Sequence, residues 1–271
     1  MKPSRLGVIG LGRMARALLT PLLDQGVIAR DQVRAVVASE DSARRLRDEL
    51  GVAVARDPDE AWAAPVVLLA VKPQLLTAVA AAAPSPPRDS DGAPLLISVL
   101  AGVTLERLER SFPGWNCVRA VPNTPCLVGA GITGLAWGKD LPAGPRQWVL
   151  DLFGRVGVVK ELPESQLDGL LALASSGPAL AAVLLEALAD GGVASGLPRP
   201  LALELALAMM EGSVKLLREQ NLHPAQLKDM VASPAGTTIA ALRQLEQAGV
   251  RSALIEAVLA AAERSRALNA G

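Results

Sequence analysis

The sequence predicts an α/β protein: a doubly wound, mostly parallel sheet over residues 1–160, followed by an all-helical part over 161–271. Three observations carry that expectation. Short apolar runs alternate with helical stretches as far as about residue 160, the pattern of parallel strands joined by crossover helices. After about Glu161 the strand signals stop, and the remaining segments read as helices between Gly and Pro breaks. A glycine-rich turn joins the first strand to the first helix, where sheets of this kind receive a nucleotide.

Residues 5–9 read as a short apolar strand and 13–25 as a helix stopped by Gly26. Residues 33–38 make the next strand, followed by a charged helix over 41–50. The run at 65–71 is strongly apolar, as suits a strand covered on both faces. Another strand lies at 95–99, after the loop Pro84-Ser85-Pro86-Pro87-Arg88-Asp89. Strands at 116–121 and 132–137, a helix near 146–153 and a strand at 156–159 complete the first part. Helices follow over 164–190, 199–220, 224–231, 234–248 and 250–269, broken by Gly191-Gly192, Pro198, Pro224, Pro234 and Gly249. Segments 170–188 and 201–210 are hydrophobic nearly all round, so they need burial, and a partner chain is one place to find it.

At 271 residues the chain can bury a sizeable core. Its 27 basic and 27 acidic side chains balance, so no net field directs it to nucleic acid or an anionic membrane. Aromatics make up 2% and Tyr is absent, which leaves no platform for stacking bases. Arg13 and Arg16 interrupt the apolar stretch that a secretory signal needs. The apolar run 170–185 contains a Gly-Pro pair and falls short of the roughly 18 residues of a spanning helix. A cytoplasmic protein is expected. Cys117 and Cys126 suggest neither a disulfide framework nor a zinc site, and the single histidine, His223, cannot build a metal cluster. His223 is expected to pack in a loop beside Pro224 rather than to act as a general base.

Gly7-Val8-Ile9-Gly10-Leu11-Gly12-Arg13-Met14-Ala15 has the form of a dinucleotide fingerprint. Gly10 permits the tight turn, Gly12 lets the backbone approach a pyrophosphate, and Ala15 replaces the third glycine where helix packs on strand. Ile9, Gly10, Leu11, Gly12, Arg13 and Met14 are therefore expected to bind the cofactor. The next strand ends at Ala38-Ser39 without an acidic tip for the ribose hydroxyls of NAD. Ser39 is placed to donate to a 2′-phosphate with Arg44 in reach, unless Arg44 and Arg45 are simply solvated helix surface. NADP(H) is expected, with NAD(H) also usable. Ala70, Val71, Lys72 and Pro73 end another strand at the same edge, so Lys72 is expected to point toward the cofactor cleft. Ala101, in the small-residue stretch 98–102, would let a nicotinamide ring lie close. Asn123 either holds its carboxamide or serves turn chemistry between two prolines.

A second turn, Val231-Ala232-Ser233-Pro234-Ala235-Gly236-Thr237-Thr238, opens a helix with small residues and two hydroxyls. The first N–H groups of a helix have no intrahelical partner and sit at the positive end of its dipole. The segment is either an ordinary capped helix start or a seat for a small carboxylate.

Segments 7–15, 71–74 (VKPQ), 119–130 (RAVPNTPCLVGA), 176–179 (SGPA), 186–199 (EALADGGVASGLPR) and 223–240 (HPAQLKDMVASPAGTTIA) together resemble the pyrroline-5-carboxylate reductase family over essentially the whole chain. The resemblance implies a Rossmann-like N-terminal domain and an all-α C-terminal domain that forms a homodimer, often assembling further into decamers. It implies NAD(P)H-dependent reduction of 1-pyrroline-5-carboxylate to L-proline. It also places the substrate at the second turn. Ser233, Gly236, Thr237 and Thr238 would hold the carboxylate, Thr238 would hydrogen-bond the ring nitrogen as the catalytic candidate, and Ser176 would lie nearby. Glu164 either faces that pocket or is a first-turn carboxylate favoured by the helix dipole.

The residues suit that chemistry. A protonated cyclic imine is electrophilic at carbon, whereas a ketone needs a proton donor for its developing alkoxide. This chain has one histidine, no tyrosine and few lysines near the turn. A 3-hydroxyacid dehydrogenase of similar layout would use a lysine on the first long helix of its second domain, and 170–189 contains none. Reduction of another cyclic imine and a silent cofactor-binding sensor are the remaining alternatives. Relatives usually carry Gly at Ser175, Tyr at Leu180, Gly at Ala235, a hydroxyl residue at Ala232, Met at Val121 and Asn at Pro58. Ala235 bears most: a positive φ there would cost alanine about 1 kcal/mol.

Overall fold

The computed structural model describes residues 5–86, 93–139 and 141–269. Pro87-Arg88-Asp89, half of the expected 84–89 loop, lies outside the described residues. The chain divides into two compact units: one runs to Ser176 and resumes at Ala261, and the other spans Gly177–Ala260.

In the first unit the apolar runs become strands. β1 (Leu6–Ile9), β4 (Val66–Leu69) and β5 (Leu95–Ser98) are buried at every position, as strands covered on both faces must be. With β2 (Val33–Val36), β3 (Ala53–Ala55), β6 (Asn116–Val121), β7 (Gly131–Trp137) and β8 (Gly157–Glu161) they form an eight-stranded sheet in the order β3-β2-β1-β4-β5-β6-β7-β8. Neighbours are parallel except β6 and β7. Strand order reverses between β1 and β4. Connections leave these two strands in opposite directions, and a crevice opens at their C-terminal ends.

Helices α1 (Arg13–Asp24), α2 (Glu40–Leu50), α3 (Asp59–Trp62), α4 (Leu76–Ala82), α5 (Leu105–Ser111) and α6 (Ala143–Gly154) connect the strands. Ser39 caps α2 by accepting from the Ser42 N–H at 3.3 Å, and Thr104 caps α5 by accepting from the Arg107 N–H at 3.2 Å. On one side of the sheet Leu18, Leu19 and Leu22 of α1 pack with Leu46, Val149 and Phe153. On the other, Trp62, Phe112 and Trp115 form an aromatic cluster, with Trp62 centred 5.8 Å from Phe112 and 5.6 Å from Trp115. After β8 the chain makes a 3-10 turn (Glu164–Gln166), α7 (Leu167–Leu170) and a π-helical turn (Leu171–Ser175).

The second unit holds α8 (Gly177–Ala194), α9 (Arg199–Glu219), α10 (Pro224–Met230), α11 (Thr237–Gln247) and the first half of α12 (Val250–Asn269). Its buried centre is small. Ala189 of α8 meets Ala202 and Ala206 of α9, with Leu185 and Val193 alongside. Alanine at the contact lets two helices approach closely but removes little apolar area from water. Val183 remains 64% exposed, Leu205 48% and Ile255 54%, so the apolar helices expected to need burial do not find it within the unit. The stretch Glu164–Ala194 is long and apolar enough, by composition, to cross a bilayer.

The α/β class is the one expected. The differences lie in short elements. β3, α3, α4 and α5 have no counterpart in the pattern reading, because three to seven residues cannot show a period. The helix expected over 234–248 begins at Thr237, and residues 164–190 form several pieces rather than one helix. His223 does not pack in a loop. It is exposed and caps α10, with Nδ1 accepting from the Ala225 N–H at 3.2 Å and its own N–H donating to Gln226 Oε1 at 2.8 Å.

Candidate active site

The glycine turn lies at the crevice. Gly10 has φ +91°, and an added Cβ would meet the Ala70 carbonyl and Val71 Cγ1, each at 2.9 Å, so only glycine fits. Its N–H donates to the Val36 carbonyl at 3.0 Å, which ties the turn to β2. Gly12 caps α1 without any side chain, and a Cβ there would meet no protein atom within 4 Å. The first turn of α1 carries no acidic residue. An open approach, free N–H groups and a positive helix end together fit a pyrophosphate. Ile9, Leu11, Arg13 and Met14 flank this point, and Ala70 reaches it by donating its N–H to the Ile9 carbonyl at 2.9 Å.

Val71, Lys72 and Pro73 continue along the same edge, with Lys72 exposed just before the 3-10 turn Pro73–Leu75. Ser39 stands at the tip of β2, exposed, with Oγ donating to Ser42 Oγ at 2.9 Å. Arg44 is exposed one turn into α2, and Arg45 lies 3.9 Å from Glu49.

A cleft of about 310 Å³ opens beside the turn. Met14 forms one wall, Val99-Leu100-Ala101 and Ala120-Val121-Pro122 a second, and Leu171 with Ser175-Ser176 a third. Met14, Ala101 and Ser176, expected in separate parts of the site, are thus brought together in this unit. Ser175 Oγ donates to the Pro122 carbonyl at 3.0 Å and holds two walls to each other.

Two residues singled out from the sequence have their polar atoms engaged within the protein. Asn123 is 4% exposed, and both ends of its amide are engaged. Nδ2 donates to the Ala174 carbonyl at 3.0 Å and Oδ1 accepts from the Ile132 N–H at 2.8 Å. Its side chain ties the start of β7 to the helical wall of the cleft. Glu164 is a first-turn carboxylate, and its Oε1 accepts from Arg119 Nη1 at 2.9 Å and from the Leu105 N–H at 2.7 Å. Arg119, buried at 1% exposure, is a feature that sequence reasoning missed. The only available signal was a charged residue inside an otherwise apolar strand.

Both cysteines are buried. Desolvation pushes the Cys117 thiol up to about 12, the Glu109 charge adding to it, and burial raises Cys126 as well, so neither is a nucleophile at neutral pH. Among the described residues no three His, Cys, Asp or Glu side chains gather as a metal site.

In the second unit, the turn before α11 brings Ser233, Gly236, Thr237 and Thr238 together. The Gly236 N–H donates to the Ser233 carbonyl at 3.1 Å, and a Cβ on Gly236 would strike Ser233 Oγ. Gly236 caps α11 without a side-chain bond, and the first turn carries no acidic residue. Ala235 has φ +56°, the strained conformation that its departure from glycine raised. Thr238 is half-buried on the second position of α11.

A doubly wound sheet with a glycine turn at its switch point, beside an apolar cleft, defines the class of dinucleotide-binding proteins. A family model described as pyrroline-5-carboxylate reductase dimerisation matches residues 164–268, and one described as NADP oxidoreductase, coenzyme F420-dependent, matches 5–102. The pyrroline-5-carboxylate reductase of Synechocystis is 45% identical over 97% of this chain and 98% of its own. That of Methanosarcina acetivorans is 36% identical over 99% of each. Among solved structures, Plasmodium falciparum pyrroline carboxylate reductase with NADP bound superposes with a TM-score of 0.89 at 30% identity, covering 99% of both chains. The chain belongs to the pyrroline-5-carboxylate reductase family. The match of its helical region to a dimerisation model supports homo-oligomerisation, and α8 and α9 carry exposed apolar side chains.

Proposed function

We propose that this protein reduces 1-pyrroline-5-carboxylate to L-proline with NADPH, NADH also being usable, as the last step of proline biosynthesis. The observation that carries the reading is likeness to pyrroline-5-carboxylate reductases over 97% of the chain, both units included. When bound, NADPH supplies the hydride that converts the C=N bond into a C–N single bond. The chain's own residues bind and orient. Ile9–Met14 and Ala70–Pro73 hold the dinucleotide, with Ser39 beside the 2′-phosphate. The apolar walls at Val99, Ala101 and Val121 exclude water from the transfer.

Ser233, Gly236 and Thr237 take the substrate carboxylate through N–H and hydroxyl donors, and Ser176 is read as a further substrate-binding residue. Thr238 Oγ1 hydrogen-bonds the ring nitrogen and holds the imine for attack at its carbon. No residue needs to deliver a proton to an alkoxide, because the protonated imine nitrogen already carries its proton into the product. The rate then rests on positioning.

Residues 161–271 are read as the substrate and dimerisation domain of a cytoplasmic homodimer able to assemble into decamers. Neither nucleic acid nor a membrane is a partner, a reading supported by the balanced charge of 27 basic and 27 acidic side chains. The test is NADPH and NADH oxidation, followed by loss of reduced-nicotinamide absorbance, with pyrroline-5-carboxylate beside its six-membered homologue. Turnover of the five-membered imine is the expected result. NADPH binding without turnover of either ring would leave a silent sensor.

A further inference from the structure

A charged cluster is buried behind the cleft, in the same unit. Arg119 of β6 is 1% exposed and lies between two carboxylates: Nη1 donates to Glu164 Oε1 at 2.9 Å, and Nη2 stands 3.5 Å from Asp168 Oδ1. Glu164 and Asp168 are four residues apart along a helical segment, so one guanidinium meets both. Glu164 Oε1 also accepts the Leu105 N–H at 2.7 Å, and Asp168 Oδ1 accepts from Ser265 Oγ of α12 at 2.7 Å. Among the described residues Arg119 Nε and Nη2 make no hydrogen bond, so the carboxylates carry the compensation for burying this charge.

Each arm of the cluster runs into a wall of the cleft. Arg119 immediately precedes Ala120-Val121-Pro122. Leu105 opens α5, directly after the loop that contains Val99-Leu100-Ala101. Asp168 lies on α7, which leads into Leu171 and Ser175-Ser176. Loop, strand end and helical wall are far apart in sequence and share one ionic clamp.

We propose that Arg119 and Glu164 are positioning residues for the hydride transfer, fixing the width of the cleft without touching substrate or cofactor. This deepens the functional reading above and rests on it. Reacting atoms held about 3–3.5 Å apart tolerate little slack, whereas the pyrophosphate grip at Gly10–Gly12 is independent of the clamp. Loss of the clamp therefore lowers turnover before it lowers cofactor affinity.

The test compares the full-length wild type with Glu164→Gln, Arg119→Met and Arg119→Lys, all checked for fold by circular dichroism and Tm. Glu164→Gln keeps an oxygen for the Leu105 N–H and removes only the charge. Arg119→Lys keeps the charge and decides the question if Arg119→Met does not fold. Kd for NADPH, kcat, KM and the primary isotope effect with deuterated NADPH are measured.

Glu164→Gln and Arg119→Met should lower kcat by about tenfold or more, with Kd for NADPH changed by less than about threefold and a larger isotope effect. Arg119→Lys should recover part of kcat. Folded variants with kcat within about twofold of wild type would overturn the proposal, as would kcat and NADPH affinity falling in parallel with Tm. A wild type that binds NADPH but reduces no imine would overturn the functional reading itself. Active wild type with unperturbed variants overturns the clamp alone.

Discussion

Replacing Ser39 with Asp should turn the enzyme against NADPH while sparing NADH. Ser39 does two things, and the substitution separates them. As the cap of α2 it accepts from the Ser42 N–H at 3.3 Å, and aspartate caps a helix as well as serine does. At the exposed tip of β2, beside the crevice, it is the residue placed to meet a 2′-phosphate. A carboxylate about 5 Å from a phosphate in a solvated setting repels it by roughly 1 kcal/mol per charge, reduced by salt and doubled when the phosphate is dianionic. The expected loss is about 1–2 kcal/mol, or roughly five- to thirtyfold in KM for NADPH.

NADH lacks the 2′-phosphate, so its KM should move by less than about twofold. The assay is steady-state imine reduction with each coenzyme at two ionic strengths, and the discrimination should shrink at the higher one. Equal losses for both coenzymes, or a loss insensitive to salt, would refute the assignment of Ser39. Ser39→Glu is the poorer probe, since glutamate also weakens the cap.

Thr238→Ala should lower kcat/KM for the imine by about 1.4–2.7 kcal/mol, roughly ten- to a hundredfold, with NADPH affinity by fluorescence titration unchanged; unchanged turnover would remove Thr238 from the mechanism. Ala235→Gly relieves the positive φ of +56° and should raise Tm by about 1–3 °C at matched protein concentration, because relief of left-handed strain exceeds the entropy that glycine adds to the unfolded chain. A lower Tm by calorimetry would show that the turn is not strained there. Leu205→Glu places a charge on the α9 surface, where Leu205 is 48% exposed, and should reduce the mass found by sedimentation; an unchanged mass would move the interface elsewhere.

Local patterns determined a good deal of this protein. The strongly apolar run at β4 announced a strand covered on both faces, since alternation disappears when neither face meets water. Gly10 and Gly12 announced the crevice, because few backbones need both a left-handed turn and an open approach at a helix start. The apolar girth of α8 and α9 announced helices that need burial beyond their own unit. A residue's neighbours within a few positions carry all of these signals.

Tertiary structure alone decided the rest, where the partner lies far along the chain. Asn123 reads locally as a ligand or a turn residue, and only the arrival of Ile132 and Ala174 at its two ends settles that its amide braces the wall. Glu164 reads locally as a pocket residue or a first-turn carboxylate. Its pairing with Arg119, 45 residues away, follows from where the sheet puts β6. Ala235 could be flagged from the residue that relatives carry, but its φ is set by a turn that must bring Ser233 and Gly236 together. A sequence states which groups are costly to leave unpaired, and the fold chooses the pairs.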